Sequence, residues 1–272
     1  MLSIVSLSLA CVGPDDSGDS GSTTGPYWTP SVDAATTGYL SGVWGSSAQD
    51  VFVVGGSAED QGEVHHYDGS GWSEMSLPSE AGLLIWTYGF SSQDVFAVGQ
   101  NGTMVHYDGT EWSLIDTNTT HELWGVFGFS PDDLWVVGGT PDDGSDCGDP
   151  DAVAEEKYCI WHYDGESVSP VDLSTSENDR RAESIFKVWG VDGRLVSVGQ
   201  RGLLLEYIDG SWMQQSAGAN ANDDFVSCDG TSADNIVCVG GRSNARIVTS
   251  DGSEWSTVSP SGIGGLYAVA MV

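Results

Sequence analysis

Residues 84–116 read LIWTYGFSSQDVFAVGQNGTMVHYDGTEWSLID. Four short runs of β-branched and aromatic residues, 84–89, 95–99, 104–107 and one that starts at Trp112, alternate there with turn residues. The dividers are 91–94, Asn101-Gly102 and Asp108-Gly109. Asn-Gly and Asp-Gly accept the positive φ of tight hairpins, so the last three runs are expected to reverse through two-residue turns. The stretch predicts a four-stranded antiparallel meander.

Four relatives of this stretch flank it. They begin at Leu40 (LSGVWGSSAQDVFVVGG, then VHHYDGSGWS), Leu123 (LWGVFGFSPDDLWVVGG, then IWHYDGESVS), Ile185 (IFKVWGVDGRLVSVGQRGLLLEYIDGSW) and Phe225 (FVSCDGTSADNIVCVGG, then RIVTSDGSEWS). The apolar residue after the first turn falls at Val51, Val95, Leu134, Leu195 and Ile236, steps of 44, 39, 61 and 41 residues. A pitch near 40 residues with four strands is the mark of a β-propeller blade, because one small twisted sheet cannot bury both faces until neighbours pack against it. The expected fold is all-β, a propeller of four-stranded antiparallel blades with five full repeats and partial strands at the ends. Tyr27-Trp28-Thr29-Pro30 resembles an outer strand and residues 266–272 (LYAVAMV) an inner one. Either the ring closes on five blades with these pieces as patches, or a sixth blade is incomplete.

The recurring residues acquire structural duties. Ser47, Ser91, Ser130 and Ser232 precede Asp50, Asp94, Asp133 and Asn235 by three and are read as backbone caps of the first turn. Trp72, Trp112, Trp212 and Trp255 follow the Asp-Gly turn and supply apolar area between blades, with Val168 in that place in the third copy. Less regular aromatics are better ligand candidates: Trp86, Trp124 and Phe186, on the first strands and so beside the axis.

Composition restricts the partners. The chain has 272 residues, 40 acidic against 8 basic side chains and a formal charge of −32, which repels DNA, RNA and anionic lipid. Residues 2–10 form an apolar run too short to span a bilayer, ending Ser8-Leu9-Ala10-Cys11. This ending resembles the bacterial lipoprotein signal, which implies lipidation at Cys11, an envelope location and membrane contact through that anchor alone; the alternative is an ordinary secretion signal that is clipped and a secreted chain. Residues 12–26 (VGPDDSGDSGSTTGP) have the composition of a flexible tether, leaving 27–272 as one propeller domain, expected to be a monomer. Disulfides between Cys147 and Cys159 and between Cys228 and Cys238 close the smallest loops and stay within single repeats. Zinc would want C-x-x-C spacing, which is absent.

The run DVFAVGQNGTMVHYDGTEW and its copies resemble the repeats of secreted bacterial propeller lipoproteins and, more distantly, those of photosystem II assembly-factor propellers and Asp-box (BNR-type) propellers. Ser250-Asp251-Gly252-Ser253-Glu254-Trp255 approaches the Asp-box pattern. The resemblance covers residues 27–272 and implies the fold. Its assembly-factor branch implies a protein client, while the fold as such hosts hydrolases, lyases and binding scaffolds alike.

The chemistry is sparse. His66, His106 and His162 occupy equivalent third-strand positions, on the order of 15 Å apart given a strand spacing of about 4.8 Å, too far to share one metal ion. The Arg-Ile-Pro signature of Asp-box sialidases is missing, as are G-x-S-x-G, H-E-x-x-H and phosphate-loop motifs. The insertion 140–158 (TPDDGSDCGDPDAVAEEKY) gathers Asp142, Asp143, Asp146, Asp149 and Asp151, hard oxygen ligands that suit calcium, in a spacing unlike an EF-hand. No other cofactor is expected. The reading is a non-enzymatic, exported, lipid-anchored scaffold for a protein or surface polysaccharide. Its rivals are an extracellular polysaccharide hydrolase or lyase and a purely structural envelope protein.

Overall fold

The computed structural model describes residues 38–57, 61–139, 159–173, 183–218 and 223–271. Cys11, the tether, Tyr27 to Pro30, Cys147 and the aspartates of the 140–158 insertion lie outside the described residues.

Among the described residues, twenty strands form five separate four-stranded antiparallel sheets, each in chain order. The first holds β1 (Tyr39–Ser47), β2 (Asp50–Gly56), β3 (Gly62–Tyr67) and β4 (Trp72–Met75). The second holds β5 (Leu84–Ser91), β6 (Asp94–Gly99), β7 (Met104–Tyr107) and β8 (Trp112–Leu114). The third holds β9 (Leu123–Ser130), β10 (Asp133–Gly138), β11 (Ile160–Tyr163) and β12 (Val168–Pro170). The fourth runs through β13 (Ile185–Val191), β14 (Arg194–Gly199), β15 (Leu204–Ile208) and β16 (Ser211–Gln214). The fifth ends the series with β17 (Phe225–Ser232), β18 (Asn235–Gly240), β19 (Arg246–Ser250) and β20 (Trp255–Val258). The predicted blades are present, and β1, β5, β9, β13 and β17 lie side by side as the inner strands.

Two of the expected turns differ in length. In the second blade four residues, 100–103, join β6 to β7, with Asn101 at φ 54° and Gly102 at φ 68°. Four more join β7 to β8, because Asp108 Oδ1 accepts the backbone N–H of Thr110 and of Glu111 at 2.8 and 3.0 Å and so organises a wider loop. Asp164 and Asp251 repeat this arrangement. The two-residue reversal occurs in the fourth blade, where Asp209 (φ 50°) and Gly210 (φ 84°) connect Ile208 to its partner Ser211.

The second strands are the most buried part of each blade, and the apolar cores lie between blades. Phe52, Val54 and Val64 meet Leu84, Val95 and Trp112 of the second blade. Phe96, Val98 and Met104 then meet Leu123, Leu134 and Trp161 of the third. Trp135 and Ile160 meet Ile185, Leu205 and Trp212 of the fourth, and Val196, Val198 and Leu204 meet Phe225, Ile236 and Val248 of the fifth. Three of the recurring tryptophans serve these junctions, Trp112 and Trp212 buried in them and Trp255 packed against the last, while Trp72 packs on Tyr67 of its own blade. Among the described residues no fifth core joins the last blade to the first. Instead the segment after β20 follows β17: Leu266 N donates to Gly240 O, Val269 N to Ser227 Oγ and Met271 N to Asp229 Oδ2. At the first junction Gly62 N donates to Ala81 O, three residues before Leu84, and at the last Ala245 N donates to Ile263 O, three before Leu266. The segment thus takes the place of a sixth inner strand.

Candidate functional site

The inner strands carry the three expected ligand aromatics, but at two different positions. A bulge between Leu84 and Trp86 recurs on every inner strand, and it aligns Trp86 with Gly125 and Lys187, whereas Trp124 and Phe186 stand one residue earlier. Trp124 and Phe186 meet edge to face at 5.7 Å, with the Trp124 indole donating to Gly139 O. Trp86 is separate from them. Its face lies 3.3 Å from Lys187 Nζ, and all three aromatics are half-buried. A Cβ on Gly125 would meet Lys187 Cα at 3.5 Å and Phe186 O at 3.2 Å, so a side chain there would crowd the path from the fourth blade to the second. Burial lowers the Lys187 ammonium to about 7, and the negative charge of Asp229 pulls the other way. The described arginines each hold a carboxylate: Arg194 with Glu206, Arg201 with Glu183, Arg242 with Asp224 and Arg246 with Asp223. Lys187 has the Trp86 face in that role.

The first-turn aspartates do more than cap. Ser47 and Ser91 accept the N–H of Gln49 and Gln93, as expected, but the carboxylates of Asp50, Asp94 and Asp133 reach across to strand three of their own blade. Each puts Oδ1 2.7 Å from a histidine Nε2, that of His66, His106 or His162. Each imidazole also packs on the aromatic between them, Phe52, Phe96 or Trp135, at 4.3, 4.1 and 4.6 Å. The fourth blade moves the carboxylate to the third strand at the same two positions, with Arg194 and Glu206, and the fifth has Asn235 and Thr249. Among the described residues, one of the two expected disulfides is present. Cys228 and Cys238, directly opposed on β17 and β18, form a disulfide with Cα atoms 4.1 Å apart. Cys159 is buried and disulfide-bonded.

A cleft of about 620 Å³ opens between the third and fourth blades, a place not singled out by the sequence. Its walls are aromatic, with Phe129, Trp135, Tyr207 and Trp212, and Asp133, His162 and Asp172 supply the polar groups. The side chains of Asp133 and His162 are 45% and 32% exposed, against 16% and 24% for Asp50 and His66 in the first blade. The third copy of the pair is therefore the one most open to solvent. The size suits a compact ligand or an inserted side chain. Its signal in the sequence is Trp135, where the first two repeats have Phe52 and Phe96.

No known family model matches the sequence, and no curated protein does. Solved structures match it in fold. The structure described as YCF48 bound to D1 peptide aligns with a TM-score of 0.55 and 14% identity over 80% of this chain and 66% of its own. YCF48 from Cyanidioschyzon merolae gives 0.55 and 10% over 84% and 72%. The computationally designed protein Ika8 gives 0.56 and 15% over 86% and 65%. The chain thus spans about two thirds of the length of the first two of these matches to be compared, the peptide complex and Ika8. At such identities the likeness is one of architecture.

Proposed function

We propose that this chain is a non-enzymatic binding scaffold, exported and lipid-anchored at Cys11, whose propeller engages a protein. The observation that carries this reading is the aromatic cleft between the third and fourth blades: a concave, mixed aromatic and acidic surface at one junction. The structure of YCF48 bound to D1 peptide supports a protein partner, since in it a propeller of similar architecture holds a peptide. The Asp133 and His162 pair at the rim invites a catalytic reading, yet Asp50 with His66 and Asp94 with His106 repeat the same geometry. A device used in three blades is blade construction.

A photo-crosslinking residue at Ser211, on the cleft rim, tests the reading in envelope preparations of cells that make the chain, with Ser70 as the control position. A discrete protein adduct from Ser211 and none from Ser70 is expected. Adducts of equal yield from both, or products released from envelope polysaccharide by the purified chain, overturn it. Mass spectrometry of the mature N-terminus checks the lipid on Cys11.

A further inference from the structure

The junction between the fourth and fifth blades holds a guanidinium. Arg194 pairs with Glu206 through Nε and Nη2, donates from Nη1 to Ala233 O and to Ser250 Oγ, and lies over the Trp255 ring with Cζ 5.2 Å from its centroid. Carboxylate, carbonyl, hydroxyl and aromatic face together form a complete arginine receptor. One junction earlier, strand register puts Asp133, His162, Tyr207 and Trp212 at the positions of Arg194, Glu206, Ser250 and Trp255. All four line the cleft, and among the described residues no lysine or arginine does. The charge that the next junction supplies from within is reversed here. Asp133 accepts one hydrogen bond, at Oδ1 from His162 Nε2, and among the described residues its Oδ2 accepts none. Asp172 stands at the mouth, Phe129 is 45% exposed beside it, and the whole molecule carries a formal charge of −32.

We infer that the cleft between the third and fourth blades receives an arginine side chain of a basic protein segment. This rests on the scaffold reading and names the chemistry of its partner. The guanidinium lies on the Asp133 carboxylate and flat against the aromatic wall, and the acidic surface draws the basic segment in.

The test follows the indole signals of Trp135 and Trp212 by NMR in the full chain, titrated with acetyl-Gly-Gly-Arg-Gly-Gly-amide and with the same peptide carrying citrulline, which is isosteric and neutral. The arginine peptide is expected to give saturable shifts, with the citrulline peptide about tenfold weaker, the loss of one charge-assisted contact. Trp135→Phe, which installs the ring already present at Phe52 and Phe96 and so keeps the blade folded, weakens binding several-fold, and Ser211→Arg, which supplies the cation internally, abolishes it. Equal shifts from both peptides, or none at millimolar concentration, overturn the inference. So does a glucosamine oligomer that moves the same signals at lower concentration than the arginine peptide, since the cleft then takes a cationic sugar. An adduct at Ser211 with no preference for arginine removes this assignment and leaves the scaffold standing; no adduct at Ser211 removes the scaffold reading itself.

Discussion

Lys187 shows how one side chain ties distant blades together and what that costs. Its ammonium leaves the fourth blade, passes the Cβ-less position of Gly125 and ends on the Trp86 face of the second blade. Nearly all of its solvent is gone, so its value falls from the ordinary 10.5 to about 7. Between those values the unfolded chain binds a proton that the folded chain has released, and stability must rise with pH across that window. Below about 7 both states carry the charge and the full desolvation cost opposes folding. Lys187→Met keeps the length and removes the charge. It is expected to stabilise the chain by about 1–3 kcal/mol at pH 6, the Trp86 attraction offsetting part of the gain, with a gap that narrows toward pH 10. Thermal melts of the two proteins at pH 6, 8 and 10 check this, and a gap that stays constant would refute the desolvated charge as its origin.

Within a blade, the second and third strands are joined by a polar pair that comes in two polarities. Asp94 with His106 and Arg194 with Glu206 occupy the same two positions, so the blade accepts the carboxylate on either strand provided a hydrogen-bonding partner stands opposite. Asp94→Arg alone sets a guanidinium against an imidazole and is expected to cost about 1–2 kcal/mol; adding His106→Glu restores most of it. Urea unfolding of both variants and of His106→Glu alone closes the cycle, and additive losses would mean that the pair is not coupled. This pair also marks where the sequence became hard to read. Val95, Ala97 and Val98 declare a buried strand by pattern, and Asp108-Gly109 declares a turn, because both signals are local. Asp133 and His162 are 29 residues apart with the insertion between them, and only the strand register aligns them. Trp86 and Trp124 looked alike for a similar reason: both lie near the start of an inner strand, and the recurrent bulge assigns them to different positions. The cleft was illegible because it belongs to no blade, its walls coming from β10 and β11 on one side and β15 and β16 on the other.

At the scale of the molecule, the five blades form a row of four shared cores, with residues 266–271 standing in beside β17 for a further inner strand. Among the described residues, each of the three middle blades is buried on both sides by a neighbour, whereas the first contributes to one core, and β1 leaves Tyr39 71% and Val43 43% exposed. The fifth is covered on its second side by a segment tied through Leu266, Val269 and Met271, whose Tyr267 is 81% exposed. Stability in such an array is a sum of blade terms and neighbour terms, so the blade with one neighbour opens at the lowest free energy. Native-state hydrogen exchange is therefore expected to show the slowest amides in β6, β10 and β14, faster ones in β18 and the fastest in β2, although β2 is paired on both edges and over more residues with its third strand than β14 is. Removing residues 263–272 strips the cover from β17 and is expected to bring β18 up to the rate of β2 while leaving β10 unchanged. Uniform protection across the five second strands, before and after that deletion, would mean that the blades open together as one closed unit and that the four cores do not act as separate neighbour terms.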